Sequence, residues 1–291
     1  MHSKSTIFIN ELAKKLESIY PPHAAMLNAW FLLEKLTNQT QAQLMIAPEF
    51  SLADNQKKLL EQWLHELIEE HKPIQYIYGS VPFLDATILV KPPILIPRPE
   101  TEEWCFNLIQ EIKKLPYKPH KILDLCTGSG CIALALAQAF PFAHMYATDI
   151  SQQVLDLAQQ NAVLNKVTNI TWYLSDLFDA VKDEKFDLIV SNPPYIDEIE
   201  WEKLDREVKE WEDKGALCAP DHGLALIKKI ITQAPQFLNC ASIKLPQLWI
   251  EIGYNQGPAV KALFENAGFN HVIINQDSYG KDRLVTGYCH E

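Results

Sequence analysis

The most informative segment of the chain reads Phe186-Asp187-Leu188-Ile189-Val190-Ser191-Asn192-Pro193-Pro194-Tyr195. Its apolar run, residues 188–190, is typical of a strand that is buried on both faces. Pro193 and Pro194 lack a backbone N–H and cannot continue a central strand, which predicts a strand end at about Asn192. Ligands bind at the carboxyl ends of strands in open α/β sheets. The segment is therefore either part of a ligand site or a simple turn.

Strand and helix patterns alternate from residue 120 onward. The predicted strands are 121–125, 144–149, 169–174, 186–191, 248–252, 271–275 and 283–289. The predicted helices are 129–140, 151–164, 223–237 and 258–267. This alternation is typical of a mostly parallel sheet covered by helices on both faces. Because no helix separates the last two strands, they are predicted to form an antiparallel hairpin.

The chain is predicted to have three parts. Residues 1–72 show apolar residues at helical spacing and form a small all-α domain, in which Ser51 is a plausible N-cap of the last helix. This domain has no catalytic constellation and is interpreted as a substrate-recognition domain. Residues 73–97 are predicted to be a linker with a β-hairpin, and residues 98–291 form the α/β domain, which opens with a helix after Arg98.

Composition restricts the class of function. The chain has 291 residues, of which 47% are hydrophobic and 22% charged, and its net charge of −11 offers no basic excess for direct nucleic-acid binding. A protein partner or a small molecule is expected instead. Residues 1–16 do not resemble a signal peptide, and no apolar run approaches a membrane span. We therefore expect a cytoplasmic monomer that does not contact membranes.

The cysteines and histidines do not indicate a metal site. The six cysteines form no CxxC pair and show no metal-ligand spacing, and the nine histidines are scattered. The sequence therefore predicts reduced thiols and no metal.

A glycine-rich loop follows the first strand of the α/β domain. It reads Asp124-Leu125-Cys126-Thr127-Gly128-Ser129-Gly130. Glycines at such a junction allow a tight turn and a close approach of ligand to a helix N-terminus. Asp149 ends the next strand, where a carboxylate can bind both hydroxyls of a ribose. The pair of features indicates a nucleoside cofactor, but it fits a nicotinamide dinucleotide and S-adenosyl-L-methionine equally well.

Two observations favour S-adenosyl-L-methionine. A dehydrogenase needs a proton donor or acceptor beside the hydride, and no histidine is obviously placed for that role. In addition, the order of motifs resembles that of Rossmann-like methyltransferases that act on planar nitrogens. These motifs are the glycine-rich loop, Asp149, Ser175-Asp176-Leu177-Phe178 and Asn192-Pro193-Pro194-Tyr195.

Methylation of a planar nitrogen explains the residue types after the fourth strand. An amide lone pair is delocalised, with a rotation barrier of about 18–20 kcal/mol, and must be turned toward the methyl carbon. The Asn192 side-chain oxygen and the Pro193 carbonyl can each accept one N–H of the substrate NH₂ group. Pro194 fixes the turn, and the Tyr195 ring can pack against the planar group or face the sulfonium. No strong base is required.

The whole chain resembles the protein-glutamine methyltransferases of peptide chain release factors, the HemK/PrmC family. The matching stretches are 73–79, 95–102, 191–196, 212–217 and 280–283, in addition to the helical N-terminal domain. The resemblance implies a Rossmann-like fold and transfer of a methyl group from S-adenosyl-L-methionine, leaving S-adenosyl-L-homocysteine. It also implies that the acceptor is the glutamine of a Gly-Gly-Gln loop in a release factor, which is the expected protein partner.

The resemblance also implies roles for individual residues. Cofactor contacts fall on Asp124, Cys126, Thr127, Gly128, Ser129, Gly130, Asp149, Asp176, Leu177 and Asn192. The substrate glutamine would be held by Asn192, Pro193, Pro194 and Tyr195, with Arg98 and Glu100 in a segment over the site. Asn192, Pro193 and Tyr195 would be catalytic.

Two departures from the family pattern leave alternatives open. Cys126 stands where the family often has Gly, a variant also found in the similar enzymes that methylate a ribosomal protein, whereas residues 98–102 favour the release-factor branch. The segment 211–217 lacks the proline that commonly follows its Glu. There are three alternatives: methylation of a ribosomal protein, methylation of a nucleic-acid amino group such as that of adenine, and a non-catalytic cofactor-binding role.

Overall fold

The computed structural model describes residues 4–46, 50–239 and 244–289. The chain divides into two compact units. The first comprises Met1–Gly79 and Arg206–Trp211, and the second comprises Ser80–Asp205 and Glu212–Glu291. Among the described residues, no helix is both long and apolar enough to cross a membrane.

Helices build the first unit, as its apolar spacing predicts. Those before residue 80 are α1 (Lys4–Leu16), α2 (Pro22–Thr37), α3 (Gln41–Ile46), α4 (Asp54–Ile68) and α5 (Ile74–Tyr78). Their apolar faces meet in one core, which contains Leu12, Leu16, Leu32, Leu33, Leu44 and Leu67. The predicted N-cap at Ser51 is wrong, because α4 begins three residues later with Ala53 as its cap residue. The Gln56 side chain accepts the Ala53 N–H at 3.0 Å and fixes this start.

A later segment also belongs to the first unit. Arg206–Trp211 joins it through Trp211, whose indole N–H donates to the Glu70 carbonyl at 2.8 Å. The Lys72 ammonium lies 5.1 Å from the centroid of the Trp211 ring. This return of the chain was not predicted. The division into residues 1–72, 73–97 and 98–291, with recognition assigned to the first part, stays a prediction.

An antiparallel hairpin opens the second unit. It consists of β1 (Ser80–Phe83) and β2 (Ala86–Leu89), in the stretch where the sequence predicts a hairpin. Two asparagines four residues apart on one helix complete the free edge of β2. The Asn161 side chain accepts the Leu89 N–H at 2.7 Å and donates to the Leu89 carbonyl at 3.3 Å. The Asn165 side chain accepts the Thr87 N–H at 2.9 Å and donates to the Thr87 carbonyl at 2.7 Å. Backbone groups that the hairpin leaves unpaired are thereby satisfied.

The seven-stranded sheet of the second unit confirms the predicted fold class. Its strands are β3 (Lys121–Leu125), β4 (His144–Asp149), β5 (Ile170–Leu174), β6 (Leu188–Ser191), β7 (Leu248–Glu251), β8 (Asn270–Gln276) and β9 (Asp282–Tyr288). Their order is β5-β4-β3-β6-β7-β9-β8. The first five are parallel, whereas β9 is antiparallel to both β7 and β8. The C-terminal hairpin is therefore confirmed.

Helices occur at the four places predicted within the sheet region, 129–140, 151–164, 223–237 and 258–267, and three short helices that were not predicted lie between residues 198 and 217. The remaining helices are α6 (Pro99–Lys114), α7 (Cys131–Ala139), α8 (Gln152–Leu164), α9 (Glu198–Trp201), α10 (Arg206–Trp211), α11 (Lys214–Leu217), α12 (Ala225–Gln233) and α13 (Gly257–Asn266). Of these, α10 is the segment that belongs to the first unit.

The centre of the sheet positions the functional site. All four residues of β6 are buried, as expected for its apolar run. Leu125 of β3 is in register with Ser191 of β6, and the Ser191 hydroxyl donates to the Leu125 carbonyl at 2.8 Å. The strand order reverses between these two strands. A crevice for ligands is expected at such a switch point, outside the carboxyl ends of the strands.

The cysteines follow the prediction only in part. Cys105, Cys126, Cys131 and Cys218 are free thiols, and burial raises the pKa of each. Cys289 is disulfide-bonded, so the predicted reduced state is wrong for that residue. Cys240 lies outside the described residues.

Candidate active site

A cavity of about 610 Å³ opens at the carboxyl ends of β3, β4 and β6. Three sets of predicted site residues line it, one from each strand end: Cys126 and Gly128, Asp149, and Asn192 with Pro194. Asp176 and Leu177, which follow β5, also line it. The structure thus brings together residues that are up to 68 positions apart in sequence (Cys126 to Pro194).

The glycine-rich loop forms the tight turn that its sequence predicts. Gly128 and Gly130 have φ angles of 55° and 81°, in the left-handed region that glycine tolerates best. The Thr127 N–H donates to the Thr148 carbonyl at 3.0 Å, and the Gly128 N–H donates to the Asp149 carboxylate at 3.0 Å. Helix α7 begins directly after Gly130. The loop is therefore tied to the end of β4 before any ligand binds.

Cys126 adopts a conformation that is unusual for its residue type. Its φ is 59°, which explains why a related sequence can have Gly at this position. We expect Cys126→Gly to keep the free energy of unfolding within about 1 kcal/mol of the parent, because relieved backbone strain offsets the lost side chain. Cys126→Val should lose about 2 kcal/mol or more, since a β-branched residue fits this region poorly.

Chemical denaturation of the two Cys126 variants measures this difference. Both substitutions remove the same thiol, so a common effect of losing sulfur is cancelled in the comparison. Equal stability of Cys126→Val and Cys126→Gly would show that the backbone conformation at Cys126 is not constrained.

Asp149 is held in place by backbone hydrogen bonds at the edge of the cavity. One carboxylate oxygen accepts the Gly128 N–H and the other accepts the Ser151 N–H, each at 3.0 Å. Burial raises the pKa of Asp149, which these backbone hydrogen bonds oppose. Each oxygen has a second lone pair and can accept a further hydrogen bond. Two adjacent hydroxyls, as on a ribose, fit this pair of acceptors.

Asp124 lies beneath the loop and does not line the cavity. Its carboxylate accepts the Thr127 hydroxyl at 2.6 Å and the Ala133 N–H at 3.2 Å. Burial raises the pKa of Asp124 to about 7. Thr127, Ser129 and Gly130 are likewise absent from the lining. The structure thus places four of the predicted cofactor residues in the frame of the loop, and direct contact of these residues with a cofactor stays a prediction.

The turn after β5 supplies another wall. The Ser175 hydroxyl donates to the Leu177 carbonyl at 2.9 Å and accepts the Ala180 N–H at 2.9 Å. Leu177 has a φ of 50°, which turns its side chain back into the core beside the cavity. A non-glycine residue in this conformation is uncommon and persists where its surroundings hold it.

The segment that follows β6 turns as the two prolines predict. Backbone N–H groups of Tyr195 and Ile196 both donate to the Leu217 carbonyl, at 3.1 and 2.8 Å. The Asn192 side-chain NH₂ donates to the Thr101 hydroxyl oxygen at 3.2 Å. Asn192 also lines the cavity, and its side-chain oxygen is not the atom that contacts Thr101. The Asn192 oxygen is therefore a candidate hydrogen-bond acceptor for a ligand in the cavity.

Tyr195 and Pro193 do not line the cavity. The Tyr195 hydroxyl instead donates to the Glu251 carboxylate at 3.1 Å. Burial, followed by the charge of Glu251, raises the pKa of Tyr195, so its hydroxyl keeps the proton. The roles predicted for Pro193 and Tyr195 in catalysis stay predictions.

Arg98 and Glu100 are also outside the lining of the large cavity. Arg98 forms an ion pair with the buried Glu212 side chain at 2.5 Å. Glu100 lines a second, smaller cavity of about 230 Å³ with Arg283. Substrate contacts of Arg98 and Glu100 therefore stay predictions.

Several wall residues were not predicted. They come from the linker and from the long connection after β6: Pro93, Ile94, Leu95, Asp213, Gly215, Ala216, Cys218, Ala219 and Pro220. The Asp213 N–H donates to the Pro93 carbonyl at 2.8 Å, which joins the two stretches. The stiffness of the proline-rich linker was a signal that this segment has a fixed path. In the described residues, no cluster of metal-ligating side chains is found.

Two family models match the chain. The Methyltransferase small domain matches residues 107–208, and the PrmC N-terminal domain matches residues 8–79. The fold also occurs in solved structures of low identity. A methyltransferase from Pyrococcus furiosus aligns over 80% of this chain and 99% of its own, with 14% identity and a TM-score of 0.50. A 16S rRNA methyltransferase of T. thermophilus aligns over 72% and 50%, with 16% identity and a TM-score of 0.51.

Curated relatives share one name, release factor glutamine methyltransferase. The relative from Lactococcus lactis is 40% identical over 81% of this chain and 84% of its own length. That from Flavobacterium psychrophilum is 36% identical over 96% of both chains. That from Salmonella typhimurium is 36% identical over 89% of this chain and 91% of its own. Taken with the two family models and the Rossmann-like methyltransferase fold, these identities show that the chain belongs to the release factor glutamine methyltransferase family.

Proposed function

We propose that the protein methylates the side-chain amide nitrogen of the glutamine in the Gly-Gly-Gln motif of release factors, with S-adenosyl-L-methionine as methyl donor. The observation that carries the proposal is the orientation of Asn192. Its NH₂ group donates to the Thr101 hydroxyl oxygen and Asn192 lines the cavity, from which we infer that its side-chain oxygen is available to a substrate there. An acceptor in that place suits a substrate NH₂ group. The names of the relatives support the choice of protein substrate.

The residues of the cavity fit S-adenosyl-L-methionine. A volume of about 610 Å³ lies within the usual range of about 300–1,000 Å³ for a small-molecule site. Asp149 offers two acceptors for the ribose hydroxyls, and the turn at Gly128 allows close approach of the methionine part. Ile150 and Leu177 supply apolar surface for the adenine. When bound there, the cofactor supplies an electrophilic methyl group on a sulfonium.

Asn192 and the Pro193 carbonyl would orient the substrate amide. Each accepts one N–H of the glutamine NH₂, which turns the nitrogen lone pair toward the methyl carbon. With S-adenosyl-L-methionine held in the cavity, the amide nitrogen would form a C–N bond to the methyl carbon while the carbon–sulfur bond breaks and leaves its electron pair on sulfur. Positive charge develops on the attacking nitrogen, so both acceptors bind more strongly in the transition state.

The chain's own residues need not remove a proton before methyl transfer. The methylated nitrogen is acidic and releases its proton to water. Tyr195 keeps its proton, because burial and the charge of Glu251 raise its pKa, so it is not a candidate base. A role for its ring as a wall behind Pro194 is consistent with its packing against the apolar core.

Transfer of labelled methyl to a release factor tests the proposed function. We expect the purified protein to label a recombinant release factor, and we expect the label to vanish when the glutamine of Gly-Gly-Gln is replaced by alanine. Label that persists would move the methylated site elsewhere on the factor. Label on a ribosomal protein and not on the release factor would support the alternative that the Cys126 loop leaves open.

A further inference from the structure

We propose that Glu251, acting through Thr101, is a positioning residue that fixes the orientation of the Asn192 side-chain amide. Its effect on catalysis rests on the proposed function. Glu251 ends β7 and is 1% exposed. One of its oxygens accepts the Thr101 hydroxyl and the Trp104 indole N–H, each at 2.7 Å. The other oxygen accepts the Tyr195 hydroxyl at 3.1 Å. Three donors therefore converge on one buried carboxylate.

The direction of each hydrogen bond in this cluster follows from the donor types. The Trp104 indole N–H can only donate, so the Glu251 oxygen that it contacts is an acceptor. Thr101 contacts the same oxygen and must give it its single hydroxyl proton. The Thr101 oxygen is then left with lone pairs only. It can accept a hydrogen bond from Asn192 and cannot donate one.

This direction decides which end of the Asn192 amide faces the cavity. Because the Thr101 oxygen can only accept, Asn192 must direct its NH₂ group toward it. The Asn192 side-chain nitrogen lies 3.2 Å from the Thr101 hydroxyl oxygen. The opposite orientation would set two acceptor oxygens against each other in a partly buried place. The Asn192 oxygen therefore faces the ligand space, where it can accept the substrate N–H. Glu251 thereby determines the orientation of the Asn192 side-chain amide without contacting it.

Arg283, from the stretch 280–283 that matches the family, lies beside this cluster. The positive charge of Arg283 interacts with both Glu251 and Tyr195. Arg283 lies on β9, and its guanidinium donates at 3.2 Å to the carboxylate of Asp277, which lies in the turn between β8 and β9. Burial raises the pKa of Glu251, whereas the hydrogen bonds from Trp104, Thr101 and Tyr195 and the charge of Arg283 oppose this shift and favour the charged, accepting form. The carboxylate is therefore suited to remain an acceptor.

Substitutions at Thr101 test the proposal. We expect Thr101→Val to lower kcat about tenfold or more, because the Asn192 amide is no longer held in one orientation. The KM for S-adenosyl-L-methionine should stay within about twofold of the parent, because Thr101 does not line the cavity. Thr101→Ser retains the hydroxyl and should restore kcat to near the parent value.

The protein offers a matched control for the Thr101 substitution. Thr286 is also 2% exposed, and its hydroxyl accepts an asparagine NH₂ group, that of Asn275, at 3.4 Å. Thr286→Val thus makes the same chemical change outside the cluster, and kcat should not fall. Equal kcat losses in Thr101→Val and Thr286→Val, or in Thr101→Val and Thr101→Ser, would overturn the proposal.

A readout without a protein substrate separates this proposal from the proposed function. In spectra of ¹⁵N-labelled protein, the Asn192 side-chain NH₂ pair is identified by its loss in Asn192→Asp. We expect its shifts to move, and its NH₂ protons to exchange faster with water, in Thr101→Val and in Glu251→Gln, but not in Thr101→Ser. The amide introduced by Glu251→Gln can donate to Thr101 and reverse the hydrogen-bond direction. Unchanged Asn192 resonances in folded Thr101→Val would overturn the proposal even if no release factor were methylated.

Discussion

Asn192→Ala should lower kcat for methyl transfer by about 10²–10³-fold at saturating cofactor, the loss typical of removing one group that stabilises a transition state. Asn192 lines the cavity, and the substitution removes its side-chain oxygen. Because this acceptor binds the attacking nitrogen more strongly as charge develops, the loss should appear mainly in kcat. The measurement is single-turnover transfer of labelled methyl, with cofactor affinity determined separately by calorimetry.

Asn275→Ala is the control for this experiment. Asn275 also donates to a buried threonine hydroxyl, that of Thr286, but it lies on β8 and does not line the large cavity. It should keep the parent kcat. If Asn192→Ala kept kcat within tenfold of the parent while folding normally, the proposed role of Asn192 in orienting the substrate amide would be wrong.

The parts of the fold that the sequence predicted are those decided by local pattern. The run at residues 188–190 and the two prolines after Asn192 predict β6 and its end, and β6 ends at Ser191. The predicted strand at 144–149 matches β4 residue for residue. Alternation of such elements suffices to predict a parallel sheet, because a right-handed crossover leaves few other topologies.

Helix starts were predicted less well, because several side chains near a helix start can accept the same backbone N–H groups. Ser51 has the preferred residue type for an N-cap, but the helix begins after Ala53, where the Gln56 side chain accepts the cap N–H. The helix predicted over residues 151–164 is α8, which begins one residue later, with Ser151 as its cap residue. There, however, the Asp149 carboxylate accepts the Ser151 N–H, and the serine side chain makes no cap hydrogen bond within the described part of the chain.

The contacts around the site that the sequence did not predict are long-range. Thr101 and Glu251 are 150 residues apart and meet only because α6 packs beside the end of β7. Neither residue carries a local signal, since a threonine in a first helical turn and a glutamate at a strand end are ordinary. The same holds for Asn161, whose NH₂ group also donates to the Ser129 carbonyl at 2.9 Å and so links the hairpin to the glycine-rich loop. Such partners become visible only in three dimensions.

Gly223→Ala should destabilise the protein by about 3 kcal/mol or more and remove its activity. Gly223 has a φ of 79°, and a Cβ atom there would lie 1.9 Å from the Tyr195 carbonyl oxygen and 2.7 Å from the Gln256 side-chain nitrogen. The Gln256 NH₂ group donates to that same Tyr195 carbonyl at 2.8 Å and to the His222 carbonyl at 3.0 Å. Because the obstacle is backbone, the methyl group can be accommodated only by moving the segment that carries Asn192 and Tyr195.

Gly280→Ala separates this clash from the cost of the backbone conformation itself. Gly280 has a φ of 74°, close to that of Gly223, but among the described residues a Cβ atom there would meet no other atom within 4 Å. It should therefore lose only about 1–2 kcal/mol, the cost of a left-handed conformation for alanine. Chemical denaturation gives both free energies of unfolding, and methyl transfer by the folded fraction gives the activity. Equal losses in the two variants would mean that the turn at Gly223 can move away from Tyr195, and that the segment after β6 is not held as tightly as the contacts of Gln256 require.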